Sequence, residues 1–259
     1  MMIGLFFILL FCFIAPFFAP NDPLQTNLQH VLESPSDQYP LGTDQLGRCI
    51  YSRLLYGARI SLGLTFLLLG IVASIGFFIG LIAGLKGKWL DALLMRIADM
   101  ILAFPEIIFV IAIVSVLGPG VINMIIALSI IWWTKYARLT RTLVLRIKDS
   151  EFMHAGVMAG ASKIKLTTHY ILPNILSPLI VQFVLDIGGM LLTIASLSFL
   201  GLGVQAPTPE WGNMLSEGRA YMQTAPWLLL YPGVAIFIIV VIFNLVGDVV
   251  RDTLDPKQT

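Results

Sequence analysis

Residues 149–174, DSEFMHAGVMAGASKIKLTTHYILPN, form a polar and partly basic stretch between two strongly apolar ones. The chain around them is 58% hydrophobic and only 12% charged, with a mean hydropathy of +0.89. Soluble domains carry about 25% charged residues, so this composition describes an integral membrane protein. A plain helix–helix connection takes about 2–8 residues. The stretch is far longer than that and has a pattern of its own.

That pattern predicts two short helices and a bend. Asp149 or Ser150 is placed to cap a helix from Glu151 to Ala159, since a side-chain oxygen accepts the free N–H groups of a first turn. Gly160 is a natural stop, because glycine tolerates the left-handed conformation. Ser162 then caps a second helix, which carries Lys163, Lys165 and His169 and ends before Pro173. The small residues Ala155, Gly156, Ala159, Gly160 and Ala161 leave room for close approach. Two uses fit such a unit: a docking piece for a soluble partner, or an amphipathic segment resting on anionic lipid.

A helix needs about 20 apolar residues to cross the hydrocarbon core. Six stretches qualify: 1–19, 60–85, 97–117, 121–139, 175–203 and 227–246. The first has no Lys or Arg ahead of it and is expected to be an uncleaved helix rather than a signal peptide. With both termini on one face, twelve of the 16 Lys and Arg residues fall on that face and four on the other. The positive-inside rule then puts both termini, the 86–96 turn and the 140–174 loop in the cytoplasm. Residues 20–59 and 204–226 are placed outside, with Gly118-Pro119-Gly120 as an outer turn. Residues 20–59 are expected to lie extended on the outer face. Within 204–226, an amphipathic piece over 211–222 is expected as an external lid, a docking surface or an interfacial anchor through Trp211 and Trp227.

Pro105 interrupts the third span beside Glu106, and Gly188-Gly189 sits in the fifth, two residues after Asp186, as a break or, the reading favoured for most such glycines, for packing alone. Acids inside spans are costly unless they serve or pair. Asp99 is expected to pair with Arg96 or with another subunit. Glu106 and Asp186 are candidates for lining an aqueous route, with a structural role as the alternative. Glycines 63, 70, 76, 80 and 84 suit close helix packing. Cys12 and Cys49 match no disulfide framework or metal pattern. His30, His154 and His169 are not accompanied by a ligand cluster, so no metal site is expected. The net charge of +1 gives no footprint for nucleic acid, and no nucleic-acid partner is expected.

The stretch also resembles a known family. Glu151, Ala155, Gly160, Ala161, Ser162, His169, Leu172, Pro173 and Asn174 follow the pattern of the loop by which bacterial ABC importer permeases dock on their ATPase. The family's usual Glu-Ala-Ala is here His154-Ala155-Gly156. LGTDQLGR (41–48), SRLLYGARISL (52–62), RIADMILAFPEII (96–108), LSFLGLG (197–203), PTPEWGNML (207–215), APWLLLYPG (225–233) and FNLVGDVVRDTLDP (243–256) extend the resemblance. It is closest in kind to the second permease of the dipeptide, oligopeptide and nickel group.

The resemblance implies an all-α polytopic membrane protein of the bacterial cytoplasmic membrane. It implies six transmembrane helices in the ABC importer type I permease fold, with a cytoplasmic coupling-helix loop. Residues 1–59 would form the first helix and an outer segment, and residues 60–259 the permease core. It also implies a homologous permease partner, two ABC ATPase subunits and an extracytoplasmic solute-binding protein. The solute would be a di- or oligopeptide, or nickel or another metal chelate. The chain has no G-x-x-x-x-G-K-[ST], so ATP and Mg are expected on the ATPase subunits and no cofactor or catalysis in this chain. The coupling contacts would fall on Glu151, His154, Ala155, Gly156, Gly160, Ala161, Ser162, Lys163, His169 and Pro173. An ion-coupled secondary transporter using Glu106 and Asp186 is the rival, though no paired inverted repeat supports it. An intramembrane enzyme has no convincing nucleophile, base or ligand set.

Overall fold

A computed structural model of the protein describes residues 14–254. The expected first span, 1–19, lies mostly outside the described residues; its end, Ala15–Phe18, is a 3-10 turn. Among the described residues the architecture is helical. Its extended pairing is limited to one isolated bridge, Thr43 with Cys49.

Helix α1 spans Ile50–Lys86, and α4 spans Val121–Lys148. Their packing is the most extensive helix contact, and three glycines four residues apart explain it. A Cβ on Gly76 would fall 2.5 Å from the Trp133 carbonyl oxygen. One on Gly80 would run into the Ala137 backbone, and one on Gly84 would fall 2.7 Å from Val144. The facing residues of α4, Trp133, Ala137, Thr140 and Val144, recur at alternate steps of four and three, the spacing of a packed helix seam. Gly63 and Gly70 have no neighbour within 4 Å, so packing within this chain does not account for them.

Both helices outrun the apolar stretches that announced them. Helix α1 starts ten residues before 60, because the polar groups of its first turns are paired, as described below. Helix α4 continues nine residues past 139, because its basic end finds partners. Arg141 Nη2 donates to Asp91 Oδ2 at 2.6 Å, and Lys148 Nζ donates to the Gly84 carbonyl at 3.0 Å. The second contact places a cation on the carbonyl end of α1, where the helix dipole favours it.

The third expected span is two helices. Helix α2, Lys88–Leu102, and α3, Glu106–Leu117, meet at 88° across Pro105. At about 18 Å, α3 is too short to cross a core of about 30 Å. Asp99 of α2 pairs with Arg138 of α4, not with Arg96. Helix α5, Glu151–Met158, lies in the loop. Helix α6 then runs unbroken over Lys163–Phe199. Gly188-Gly189 does not interrupt it; Gly188 instead faces Val240 and Asn244 of α8, Trp227–Leu254.

Helix α7, Trp211–Gly218, packs inward at its start, against the expected anchoring of Trp211 at the interface. Trp211 is 3% exposed and its Nε1 donates to the Leu54 carbonyl at 3.1 Å, so it is no interfacial anchor. Gly212 lies against the Ala195 backbone. Glu210 caps α7, accepting from the Gly212 and Asn213 amides at 3.0 and 2.8 Å and from the Ser61 hydroxyl at 3.1 Å. Burial pushes its carboxyl above the usual range, and those amide bonds oppose the shift.

Segment 20–59 is folded into turns and locked to α7 by four charges. Arg48 Nε meets Asp44 at 2.6 Å, and Arg48 and Arg53 reach the two oxygens of Glu217 at 3.0 and 2.5 Å. Both arginines are 1% exposed. Cys49 is buried and free.

Two outcomes test this account. Gly80→Leu is expected to cost about 1–3 kcal/mol or more by overpacking, read as a lower melting temperature of the purified protein; an unchanged value refutes the seam. Glu217→Ala leaves two buried guanidinium groups to share the single carboxylate of Asp44 and is expected to cost about 3–5 kcal/mol, read as loss of folded protein in the membrane.

Candidate functional site

Helix α5 ends in a Schellman motif. The Ala161 amide donates to the Gly156 carbonyl at 3.1 Å and the Gly160 amide to that of Val157 at 3.0 Å. Gly160 has φ +76°, the left-handed conformation that this closure requires. A Cβ there would meet open space, so the demand for glycine comes from the backbone and not from crowding.

At the start of α5 the expected side-chain cap is absent. The Ser150 hydroxyl donates instead to the Ile147 carbonyl at 2.6 Å, in the last turn of α4. Ser162 does cap the next helix, accepting from the Lys165 amide at 3.3 Å. That helix does not stop before Pro173. It passes through a π turn, Leu166–Ile171, into the rest of α6. An ordinary helix would set the Pro173 ring against the carbonyl four residues earlier. The wider turn, with the Leu172 amide on the Thr167 carbonyl, carries the chain past that point.

The inner face of α5 consists of Met153 and Gly156, both buried. A Cβ on Gly156 would fall 3.0 Å from Tyr170 and 3.1 Å from Leu166, so a residue smaller than alanine lets α5 settle on the π turn. Phe152 stacks on Tyr170 with ring centroids 6.4 Å apart. Glu151, His154, Ala155, Gly160, Ser162, Lys163, His169 and Pro173 are exposed, and Ala161 is half-buried. His169 Nδ1 lies 2.8 Å from the Thr168 hydroxyl. The outer face also carries Met158, 89% exposed, and Ile164, 77% exposed. Neither was singled out from the sequence, where each reads as one more apolar residue. For Ile164 the signal was its place between Lys163 and Lys165; Met158, beside Val157 and Ala159, carried none.

A second polar group lies at the α2–α3 elbow. Glu106, the first residue of α3, is exposed and accepts from Trp132 Nε1 at 2.8 Å. Lys135 Nζ sits 5.8 Å from the centroid of the Trp132 ring and pairs with Asp186 Oδ1 at 2.6 Å. Gln182 Nε2 also donates to that oxygen, at 2.9 Å. Asp186 is 6% exposed, while the Lys135 side chain is 49% exposed. The structure therefore joins the two acids singled out from the sequence through two residues, Trp132 and Lys135, that were not. Of the histidines, His30 pairs locally with Glu33 at 2.8 Å, and the other two lie on the loop.

A bundle of apolar helices with a structured polar loop, a broken span and an inward-packed outer helix defines a membrane permease of the ABC importer type I fold. The fold matches a solved structure described as inward-facing conformations of the MetNI methionine ABC transporter, with a TM-score of 0.64 at 18% identity over 80% of this chain and 98% of that one.

Residues 76–259 match the family described as the binding-protein-dependent transport system inner membrane component, and the chain belongs to that family. It is 44% identical to the dipeptide transport system permease protein DppC of Alkalihalophilus pseudofirmus, over 97% of this chain and 83% of the relative. It is 45% identical to the nickel transport system permease protein NikC of Escherichia coli K12, over 92% and 86%. The chain is a permease subunit of an ABC importer, a transport component that works with ATPase and binding-protein partners. The ion-coupled alternative gives way to this membership.

Gly156→Leu is expected to lift α5 from Tyr170 and Leu166 at a cost of about 1–3 kcal/mol. Hydrogen exchange should speed up over residues 151–171 and stay unchanged in α1. Unaltered exchange in the loop would show that α5 does not depend on this contact.

Proposed function

We propose that this subunit pairs with a homologous permease to enclose a route for short peptides, driven by two ATPase subunits that bind ATP and Mg. The observation that carries the reading is the loop itself. It is a compact knob joined without slack to the ends of α4 and α6, with Met158 and Ile164 presented outward. Apolar side chains in that position suit a groove on a soluble partner, and the basic residues around them suit the cytoplasmic side. Both termini then lie in the cytoplasm as well. The contact set is Glu151, His154, Ala155, Gly156, Gly160, Ala161, Ser162, Lys163, His169 and Pro173, with Met158 and Ile164 added. Catalysis stays on the ATPase subunits.

Closure of the ATPase pair moves the knob, and α4 and α6 follow because both are anchored to it. Two arrangements of the bundle, biased by the partner, switch the route between faces. Glu106 and Asp186 belong to the part of the bundle that lines it. The similarity to a dipeptide permease supports a peptide solute. The similarity to a nickel permease supports a metal chelate as the second reading. ATP-driven uptake of a dipeptide and of a nickel chelate by the reconstituted importer separates the two.

Gly160→Val tests the coupling role. A β-branched residue in the left-handed region costs about 1–2 kcal/mol and distorts the closure of α5. Insertion and ATP hydrolysis should persist while solute uptake in proteoliposomes falls. Uptake at the wild-type rate removes the lever.

A further inference from the structure

The elbow has features that a purely structural contact does not need. Glu106 makes no ion pair among the described residues and is exposed. A carboxylate offers about four acceptor positions, and among the described residues Trp132 donates to one of them. Lys135 has three donors, and Asp186 takes one. Its side chain is half open although its charge is held in place from below by a buried acid. Trp132 touches both groups, through its N–H on one side and its ring on the other.

We propose that this elbow is a subsite for a zwitterionic short peptide. The peptide's ammonium group sits on the Glu106 carboxylate, its carboxylate on the free donors of Lys135, and its body on Trp132. The inference rests on the reading that Glu106 faces the route. An extended dipeptide spans about 7 Å; Glu106 Oε1 lies 2.8 Å from the indole nitrogen and Lys135 Nζ 5.8 Å from the ring centroid. Asp186 is a positioning residue: it fixes the Lys135 ammonium without touching the solute. Gln182, on the same oxygen, holds Asp186 in turn. A solute lacking either terminal charge leaves one handle unpaired, which is the condition under which polar sites discriminate most sharply.

The test uses the purified importer complex in nanodiscs, without its binding protein, titrated with alanyl-alanine, its N-acetylated form and its C-terminal amide. Tryptophan fluorescence reports binding, with Trp132→Phe as reference. The same complexes, with binding protein, are assayed in proteoliposomes for ATP-driven uptake of alanyl-alanine. Alanyl-alanine should change the wild-type signal and leave that of Trp132→Phe unchanged. Each blocked peptide should bind wild type about tenfold or more weakly, and Glu106→Gln should bind alanyl-alanine more weakly by the same factor, as expected for losing a charged hydrogen bond. The double variant Lys135→Met with Asp186→Asn removes both members of the buried pair together, so folding is retained while binding weakens. Lys135→Arg should keep it. Wild-type uptake of alanyl-alanine together with unchanged binding by Glu106→Gln, or equal binding of the acetylated peptide, overturns the subsite and leaves the peptide importer standing. Absence of ATP-driven alanyl-alanine uptake by wild type overturns the peptide reading itself, and the subsite with it.

Discussion

The seam between α1 and α4 determines what the other helices meet. Gly76 and Gly80 bring the two backbones into direct contact, and Gly84 makes room for the Val144 side chain. In lipid, where helices gain little from simple burial, such close packing is a main source of association. The seam fixes the rotation of α4, and α4 carries the groups that organise the rest. Trp132, Lys135, Arg138 and Arg141 recur every three residues. Each step of three turns the helix by about 60° short of a full revolution, so the four side chains point to successive neighbours. Trp132 meets Glu106 of α3, Lys135 meets Asp186 of α6, and Arg138 and Arg141 meet Asp99 and Asp91 of α2. A small rotation of α4 would strand all of them.

The loop inherits this rigidity. Helix α4 ends at Lys148, which is held by α1, and α5 starts after the two residues Asp149 and Ser150. On the other side α6 is continuous through its π turn. Helix α5 is closed by a Schellman motif and seated on Tyr170 and Leu166 through Gly156. A force applied to the outer face of α5 therefore reaches α4 and α6 with little local bending to absorb it. Glycine has two distinct duties within five residues: at 156 it allows contact, and at 160 it allows a backbone angle.

The membrane character, the loop, its bend at Gly160 and the Ser162 cap were legible in the sequence, because composition and local backbone chemistry decide them. The 88° elbow was half legible. Pro105 announced a break, but a hydropathy window averages across it and cannot report an angle. The outer half was misjudged. Trp211 and the charged residues near 48, 53 and 217 look like surface groups to any rule that scores residues one at a time. They are buried because each satisfies another across more than 150 positions of sequence. The same long-range pairing hid Lys135, which lies within the fourth expected span, counts toward the cytoplasmic charge and pairs with Asp186. Gly188-Gly189 shows the converse: helix breakers by type, they lie in an unbroken helix, and Gly188 serves the packing that small residues allow, against α8.

The protein thus uses buried charge in two ways, and the difference lies in solvent access. In the outer clamp Arg48 and Arg53 are sealed and share the carboxylates of Asp44 and Glu217. Opening it would expose several unpaired charges at once, so it suits a fixed brace for α7 and the start of α1. At the elbow the acid is sealed but its cation is half open, and the neighbouring Glu106 makes no ion pair among the described residues. Leaving the sealed acid without its cation is expensive, whereas a new charge on the open side adds contacts without breaking any. A brace needs closure on all sides. A group that meets a passing solute needs one side held and one side free, and the elbow has that asymmetry at the break in a span.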